Sequence, residues 1–233
     1  MGWFSDWLDT LYETFIVAER YKTLIEGFGN TILITVGALL IGVVIGTVIA
    51  VIKVFARDTK NIILKIADKF CDLYLTVIRG TPVVVQLLIM FFIVFVSAED
   101  GRWVAILTFG INSGAYVAEV IRSGITAIDI GQTEAGRSLG FSKIQTMRLI
   151  VFPQAFKNIL PAIGNEMIAL LKETSVAGYV AVMDITKAGN QIKNTTYDQI
   201  NPILLVAIVY LVLVIMMTKL LSVMERRLRK SER

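Results

Sequence analysis

Histidine is absent from this 233-residue sequence, and cysteine occurs once, at Cys71. One cysteine excludes a disulfide within the chain, and the missing histidines exclude the ligand spacing typical of transition-metal sites. The sequence also lacks the G-x-x-x-x-G-K-S/T pattern of phosphate-binding loops, so we do not expect the chain to hydrolyse ATP by that route. No convincing internal repeat is visible, which argues against a secondary transporter built from two inverted repeats in one chain.

Charged residues are also scarce, at 18% of the chain, whereas hydrophobic residues make up 55%. The mean hydropathy of +0.70 is too apolar for a soluble domain and indicates a single membrane-embedded domain. The formal net charge of +4 does not indicate a nucleic-acid partner, because the basic residues cluster beside apolar segments as they do in cytoplasmic flanks.

The apolar segments predict the path of the chain through the bilayer. Residues 27–52 carry no formal charge and are long enough to span a hydrocarbon core of about 30 Å. Lys53 and Arg57 follow, with further lysines beyond them, which places that end of the segment in the cytoplasm. Residues 61–80 form an apolar but charged helix that Thr81-Pro82 interrupts, because the residue before a proline is pushed out of helical geometry.

The remaining stretches return the C-terminus to the inside. Residues 80–98 run outward and residues 103–118 run back in. Residues 158–183 read as a broken helix or helix pair, residues 184–201 as a polar external segment, and residues 199–218 as an uncharged span. We therefore predict an all-α membrane protein with about five transmembrane helices, the N-terminus outside and the C-terminus inside.

The transmembrane domain is predicted at residues 21–225. Residues 226–233 form a basic cytoplasmic tail. Residues 1–20 lack the features of a signal peptide and read as an amphipathic helix on the outer interface, with an apolar face of Trp3, Phe4, Trp7, Leu8, Leu11 and Phe15. In the first span, Gly42 and Gly46 have the spacing that permits close helix packing in membranes.

A polar, turn-rich segment interrupts the apolar pattern at residues 131–153, and we refer to it as the polar loop. Thr133 is a candidate cap for a short helix just after it, and Gly140 suits the left-handed residue that ends such a helix. Ser142 and Gln145 have the spacing of a capping box for a second helix. Two short helices joined at a glycine form a rigid knob, which predicts a surface that docks a partner.

The polar loop resembles the EAA loop of ABC importer permeases. That pattern is Glu-Ala-Ala, three residues, Gly, nine residues, then Ile-x-Leu-Pro. Here Glu134-Ala135-Gly136, Gly140 and Ile150-Val151-Phe152-Pro153 occupy the same spacing. Two positions depart from the pattern, since Gly136 replaces the second alanine and Phe152 replaces the leucine.

Further motifs extend the resemblance over roughly residues 23–229 and bring it closest to the permeases of polar amino acid importers. They are Arg79-Gly80-Thr81-Pro82 with Gln86, the run from Asn112 to Arg122, Gly131-Gln132, and the run from Asn165 to Ser175. The resemblance implies a type I ABC importer permease fold, with a cytoplasmic EAA coupling-helix loop, in a prokaryotic cytoplasmic membrane.

The resemblance also implies partners. Two ABC ATPase subunits would bind ATP and Mg²⁺, so this chain would need no cofactor and would not be an enzyme. A second permease chain, identical or similar, would complete the membrane unit within the lipid, and a solute-binding protein would deliver the amino acid. The residues implied in coupling to the ATPases are Glu134, Ala135, Gly136, Arg137 and Gly140, with Lys143 as a further polar anchor.

A substrate path needs polar groups inside the bilayer, where such groups are costly and usually face the interior of a bundle. Asn112, Tyr116 and Glu119 share one helical face. Glu119 is a candidate partner for an α-amino group, or else a member of an internal ion pair with Arg122 or Arg79. Arg79 itself is either a partner for an α-carboxylate or a flanking arginine that snorkels to the interface.

Three more residues are candidates for the path: Thr31, Thr35 and Gln86. The two threonines could equally bond their own helix backbone. We interpret the chain as the transmembrane subunit of an ATP-driven importer that moves polar amino acids by alternating access. An importer restricted to arginine, lysine and histidine is the alternative within that class. A non-transport membrane scaffold is the alternative from another class, and a membrane enzyme is disfavoured because no paired carboxylates lie beside a nucleophile.

Overall fold

The computed structural model describes residues 9, 11–57 and 59–230, and these residues form helices and connections without any strand. The α-helices are α1 (Tyr21–Ala56), α2 (Ile62–Gly80), α3 (Val83–Ile89), α4 (Gly101–Thr126), α5 (Ile130–Ser138), α6 (Lys143–Thr146), α7 (Phe152–Glu173), α8 (Ile185–Thr196) and α9 (Asn201–Lys230). A π-helical turn, Met90–Val94, extends α3, a second, Met147–Val151, joins α6 to α7, and a 3-10 turn, Thr174–Val180, follows α7. The predicted all-α membrane fold is confirmed.

Three single helices, α1, α4 and α9, are long and apolar enough to cross a membrane. The helix α2 and the helical segment from Val83 to Val94 are apolar enough for a fourth span only when they are taken together. The chain bends by 104° between these two parts. Thr81 lies at this bend in extended geometry (φ −121°, ψ 141°), as the following proline requires. The fifth predicted segment is α7, which is helical but does not meet the same criteria of hydropathy and charge.

The centre of the fold is the lengthwise packing of α1 on α4. A Cβ added to Gly46 would lie 2.7 Å from the Cβ of Val117, and one added to Gly42 would lie 2.8 Å from the Oγ of Ser113. Both glycines therefore permit the close helix approach that their spacing predicts. Phe109 on α4 is fully buried in the adjoining apolar core.

The charged face of α2 meets a neighbouring helix. Lys53, near the end of α1, forms ion pairs with Asp68 at 2.9 Å and with Asp72. The opposite face of α2 exposes apolar side chains such as Phe70 and Leu73. This arrangement fixes the start of α2 against the end of α1 and leaves an apolar face turned outward.

The sequence predicts residues 184–201 as a polar external segment, but most of these residues form the helix α8. The Asp184 side chain caps α8 by accepting hydrogen bonds from the amides of Thr186 and Lys187, and it is completely buried. The amide of Ile185 donates to the Oγ1 of Thr31 on α1. The helix is thus amphipathic, with one face packed on α1 and α9.

The two termini can be compared with their predictions only in part. Trp3, Phe4, Trp7 and Leu8 of the predicted amphipathic helix lie outside the described residues, as do residues 231–233 of the basic tail. A π-helical turn, Glu13–Val17, stands at the end of the N-terminal segment. Phe15 in this turn is buried within the chain rather than exposed on an outer face, which departs from the prediction.

Candidate functional site

The first helix of the polar loop, α5, begins one turn earlier than the sequence suggested. It starts at Ile130, and the Oδ1 of Asp129 accepts a hydrogen bond of 2.6 Å from the amide of Gly131. Thr133 is therefore inside the helix, and its assignment as the cap was wrong. Aspartate is a stronger N-cap than threonine, and starting at Asp129 adds a turn of backbone hydrogen bonds.

The turn between the two short helices of the polar loop has the geometry that its sequence predicts. Gly140 has a positive φ of +86°. The amide of Phe141 donates to the carbonyl of Gly136 at 3.1 Å, and the amide of Gly140 donates to the carbonyl of Arg137 at 3.0 Å. This pair of bonds is a Schellman motif, which satisfies carbonyls at the end of α5. The predicted capping box at Ser142 is also confirmed.

The two short helices pack directly on each other. Gly136 is buried, and a Cβ added to it would lie 2.8 Å from both Ile150 Cδ1 and Thr146 Cγ2. The departure of Gly136 from the family pattern therefore has a packing reason within this loop. Thr146 is also buried, and its Oγ1 has no hydrogen-bond partner among the described residues. The polar loop is a compact knob with an interior of its own.

The second half of the polar loop continues without a break into a membrane-facing helix. Residues 143–173 are helical throughout, from α6 through the π-helical turn into α7. Pro153 lies in the first turn of α7. A proline has no amide hydrogen to donate to the carbonyl one turn earlier in an α-helix. Pro153 is therefore suited to its position directly after the π-helical turn. Pro161 lies inside α7, so a displacement of the knob would act most directly on the part of α7 before that proline.

The outer surface of the knob combines charges with apolar groups. Glu134, Ala135 and Arg137 are exposed. Leu139 and Ile144 are exposed by 76% and 66% of their area, although they are large apolar residues. Exposed apolar groups beside charges are typical of a surface that contacts another protein.

The bend between α2 and α3 holds one predicted path residue by a network of hydrogen bonds. The Nε2 of Gln86 donates to the carbonyl of Ile78 at 2.8 Å and to the Oγ1 of Thr81 at 2.7 Å. Its Oε1 accepts a bond of 3.1 Å from the Nδ2 of Asn112 on α4. Gln86 and Asn112 therefore connect the bend to α4, and each side-chain amide uses part of its hydrogen-bonding capacity in that contact.

Two charged cavities adjoin at this bend. The bend cavity, of about 360 Å³, is lined by Arg79, Asn112, Tyr116 and Glu173 together with residues 80–83. The second, of about 610 Å³, shares Arg79, Gly80 and Tyr116 and extends to Lys53, Glu119 and Arg122, toward the polar loop; we call it the loop-side cavity. The guanidinium carbon of Arg79 lies 5.6 Å from the centre of the Tyr116 ring, within cation–π range.

Glu119 forms an ion pair with Arg122 within the chain, which was the alternative to its predicted role as a partner for an α-amino group. Its carboxylate accepts from the Nε of Arg122 at 3.1 Å and from the Nη2 of the same side chain. Both side chains remain more than one third exposed, so the pair lines the loop-side cavity rather than lying inside the protein. Arg79 makes no ion pair with a described residue, although its charge lies within electrostatic range of Glu119.

Thr31 and Thr35 lie away from the two charged cavities. Thr31 is fully buried and Thr35 is 1% exposed. The Oγ1 of Thr35 donates to the carbonyl of Thr31 at 2.7 Å, as in the helix-backbone alternative. Thr31 accepts a hydrogen bond from the amide of Ile185 and so contributes to the packing of α1 on α8, whereas Thr35 bonds the backbone of its own helix.

Two glutamates of α7 complete the charged surroundings of the bend. Glu173 is partly buried, lines the bend cavity together with Arg79, and forms no ion pair with a described residue. Glu166 lies two turns earlier on the same helix, and its Oε1 accepts a bond of 2.7 Å from the Oγ of Ser113. The sequence offered a signal for both, because their spacing of seven places them on one helical face, but nothing in it connected that face to Arg79.

Comparisons with known proteins agree on one family. The family model for the inner membrane component of binding-protein-dependent transport systems matches residues 42–230. An arginine transport system permease protein of Bacillus subtilis is 36% identical over 212 residues, covering 90% of this chain and 94% of the relative. A glutamine transport system permease protein of Escherichia coli K12 is 34% identical over 210 residues, covering 88% and 93% respectively.

Solved structures agree with this result. A crystal structure of an amino acid ABC transporter with histidines has a chain with a TM-score of 0.82 and 38% identity, covering 91% of this chain and 96% of that chain. An inward-facing MetNI methionine ABC transporter matches with a TM-score of 0.75 over 89% of this chain and 97% of that chain. At 21% identity, the second likeness shows the fold alone.

Proposed function

From the premise that this chain belongs to the family of inner membrane components of binding-protein-dependent transport systems, we propose that it is the membrane subunit through which an ATP-driven importer moves polar amino acids. Members of this family are non-catalytic membrane subunits of ABC transporters. The arginine and glutamine permeases among its relatives, and the amino acid transporter among its structural neighbours, support the substrate class. The single observation that carries the proposal is a cavity at the bend that is lined by both Arg79 and Glu173, neither of which forms an ion pair with a described residue.

The polar loop docks the ATPases in this proposal. Its exposed Glu134 and Arg137 would pair with charges on an ATPase surface, while Leu139 and Ile144 would fill an apolar groove there. ATP and Mg²⁺ belong to the ATPases, which supply the chemistry. Because α6 runs into α7 without a break, closing of the ATPases would move the start of α7, and Pro161 inside this helix would let the part that carries Glu166 and Glu173 change its angle relative to α2.

Reversing one charge tests the coupling. We expect Glu134→Lys to insert normally but to lose coupling of ATP hydrolysis to uptake, because the new lysine repels the basic partner of the carboxylate. Glu99→Lys is the matched control, since it makes the same exchange at an exposed position before α4, far along the chain from the polar loop. Undiminished coupled uptake by Glu134→Lys, after reconstitution with its ATPase, would contradict docking through this residue.

The bend cavity has the charges that an amino acid backbone needs. The planar guanidinium of Arg79 would receive the α-carboxylate in two parallel hydrogen bonds, and the Glu173 carboxylate would receive the α-ammonium group. Glu173 is a better partner than Glu119, because Glu119 is already paired with Arg122. The loop-side cavity would then be the exit toward the polar loop, with Arg79 at the boundary of both cavities.

Neutral replacement tests the two partners. Glu173→Gln and Arg79→Gln should each weaken amino acid binding about 10- to 100-fold, since a hydrogen bond to a charged group contributes roughly 1.5–3 kcal/mol. Glu225→Gln is the matched control, because it makes the same exchange on α9 at a residue that does not line the bend cavity. Equal KM values for amino-acid-stimulated ATP hydrolysis in Glu173→Gln and Glu225→Gln would overturn this assignment.

Restriction to basic amino acids is the second candidate function. Glu166 lies within electrostatic range of Glu173, so α7 places two carboxylates close together near the bend cavity. That balance favours a substrate with a positive side chain. A screen of the twenty amino acids with the cognate binding protein decides the question, because stimulation of ATP hydrolysis by arginine, lysine and histidine alone would select it. Stimulation by glutamine would select the broader class.

A second permease chain completes the unit in this proposal. Arg79, Gly80 and Thr81 are exposed at the bend, within a pair of helices that qualifies as a membrane span. Exposed polar groups at that depth are costly beside lipid, so a second chain would cover them. The chain would lie in the cytoplasmic membrane with its N-terminus outside and its polar loop and C-terminus inside. Cross-linking of Thr81→Cys between two chains, in a Cys71→Ser background, would test the arrangement.

A further inference from the structure

An apolar groove runs along the outer side of the helix bundle, between α1, α4 and α7. Its cavity of about 190 Å³ is lined almost entirely by apolar side chains, among them Val43, Val51, Phe152 and Phe156. Val51, Phe152 and Phe156 are each exposed by 45% to 47% of their area, so the groove is open to the surroundings of the bundle. In a membrane, such a groove faces hydrocarbon.

A larger pocket of about 750 Å³ follows at the end of the bundle that carries the polar loop. Its charged lining comprises four basic and two acidic residues: Lys53, Arg57, Arg122, Lys143, Asp68 and Asp129. Asp129 caps α5, and Asp68 pairs with Lys53. Lys53 also pairs with Asp72, and Arg122 pairs with Glu119. Arg57, at the end of α1, is exposed and forms no ion pair with a described residue, so it is the group of this pocket that is placed to meet an anion.

The groove and the pocket are continuous. Val54, Ile125 and Met147 line both of them. The change from apolar to basic lining occurs where the uncharged residues 27–52 give way to Lys53, which is the depth of the membrane interface for α1. Moving outward from the bilayer centre, a ligand would meet a hydrocarbon-lined slot and then a cluster of cations.

We propose that the groove and the pocket together form a binding site for one anionic phospholipid of the cytoplasmic leaflet. An acyl chain fills the groove beside Phe152 and Phe156, and the phosphate lies in the basic pocket beside Arg57. A phospholipid of that leaflet combines an apolar chain and a fixed negative charge at this depth, and basic pockets between membrane helices are sites where acidic headgroups bind. The leaflet assignment rests on the proposed orientation of the chain.

The position of the site gives the lipid a role in coupling. Ile130 and Thr133 of α5 line the basic pocket, and Met147 leads into α7. A headgroup bound there contacts both halves of the polar loop and the end of α1. We therefore expect anionic lipid to hold the polar loop against the membrane helices and so to strengthen the coupling of ATP hydrolysis to transport.

The test measures lipid retention by the complete transporter in native mass spectrometry, after reconstitution into nanodiscs that mix phosphatidylcholine with phosphatidylglycerol. Arg57→Gln should lower the apparent affinity for phosphatidylglycerol about five-fold, the effect of one basic residue near an acidic membrane surface. Lys60→Gln is the matched control, because it removes a nearby exposed charge that does not line the pocket. Val51→Trp should displace the lipid by filling the groove without changing any charge.

Two results would overturn the proposal. Equal losses in Arg57→Gln and Lys60→Gln would mean that the chain attracts acidic lipid only through its overall charge. Unchanged retention in Val51→Trp would mean that no acyl chain lies in the groove. Lipid retention is read without any transport, so a failure of amino acid uptake in the same complex would refute the proposed function and leave this result standing.

Discussion

Replacing Gly46 with valine should weaken the packing of α1 on α4 more than any comparable change elsewhere in α1. The new Cβ alone would lie 2.7 Å from the Cβ and Cγ1 of Val117 and 2.8 Å from the amide nitrogen of Ala118. Favourable contact between carbon atoms requires roughly 3.5–4.0 Å, so these groups must separate by about 1 Å. Because these atoms are fixed to the backbone of α4, the two helices must move apart.

The expected magnitude follows from the cost of overpacking. Extra methyl groups in a well-packed core cost about 1–3 kcal/mol, and the clash with backbone atoms puts Gly46→Val at the upper end of that range. The gain in helix propensity from glycine to valine offsets only a few tenths of a kcal/mol. For a chain of this size, the net loss corresponds to a fall in apparent Tm of roughly 5–10 °C.

Gly29→Val is the matched control for this prediction. Gly29 is also in α1, and a Cβ added there would meet nothing within 4 Å. The two variants should be heated in detergent, and the folded fraction should be measured by fluorescence-detected size exclusion. Indistinguishable melting of Gly46→Val and Gly29→Val would refute the argument that close backbone approach, rather than glycine content, determines this contact.

Three further changes have expected outcomes. Gly140→Ala forces an L-residue into a φ of +86° and should destabilise the polar loop by about 1 kcal/mol, which a pull-down with the ATPase would register as weaker binding by a normally inserted chain. Pro82→Ala should allow α2 and α3 to straighten their 104° bend, so that amino acid uptake falls while ATPase binding persists. Hydrogen bonds from the side chain and amide of Arg102 hold the pKa of Asp100 below its ordinary value of 3.8, so their contribution to stability is present above that pH and is lost as the pH falls through the lowered pKa. Thermal melts from pH 5 to pH 3 (roughly the range around a carboxyl pKa) should therefore decline more steeply for the wild type than for Asp100→Asn.

Local signals were the most reliable guide to this fold. The break at Thr81-Pro82, the left-handed Gly140 and the capping box at Ser142 depend on a few adjacent residues, and all three are found in the structure. The predicted start of α5 is wrong because Asp129 and Thr133 are both acceptable N-caps. The structure shows that the helix begins at Ile130, with Asp129 as its cap. The helix α8 was missed because its polar residues dominate its composition, although it buries one face against α1 and α9.

The candidate site could be predicted less completely. Polar residues within apolar segments identified Arg79, Gln86, Asn112 and Glu119, since such groups are too costly to lie in a membrane without a reason. The sequence alone does not show which carboxylate already forms an ion pair and which has none. Glu119 and Arg122 are three residues apart and form a pair, whereas Arg79 lines a cavity with Glu173, nearly a hundred positions away in the chain.

The sequence by itself determined that this chain is a helical membrane protein, where its spans and its polar loop lie, and to which family it belongs. These properties follow from hydropathy, from proline and glycine geometry, and from motif spacing, all of which act over a few neighbouring residues. Only the tertiary structure decided that Gly136 is needed for packing inside the knob, that Thr31 and Thr35 are buried away from the charged cavities, and that α7 supplies the free carboxylate. The physical reason is that burial and ion pairing depend on which helices meet, and these helices are brought together by close contacts such as that of Gly46 with Val117.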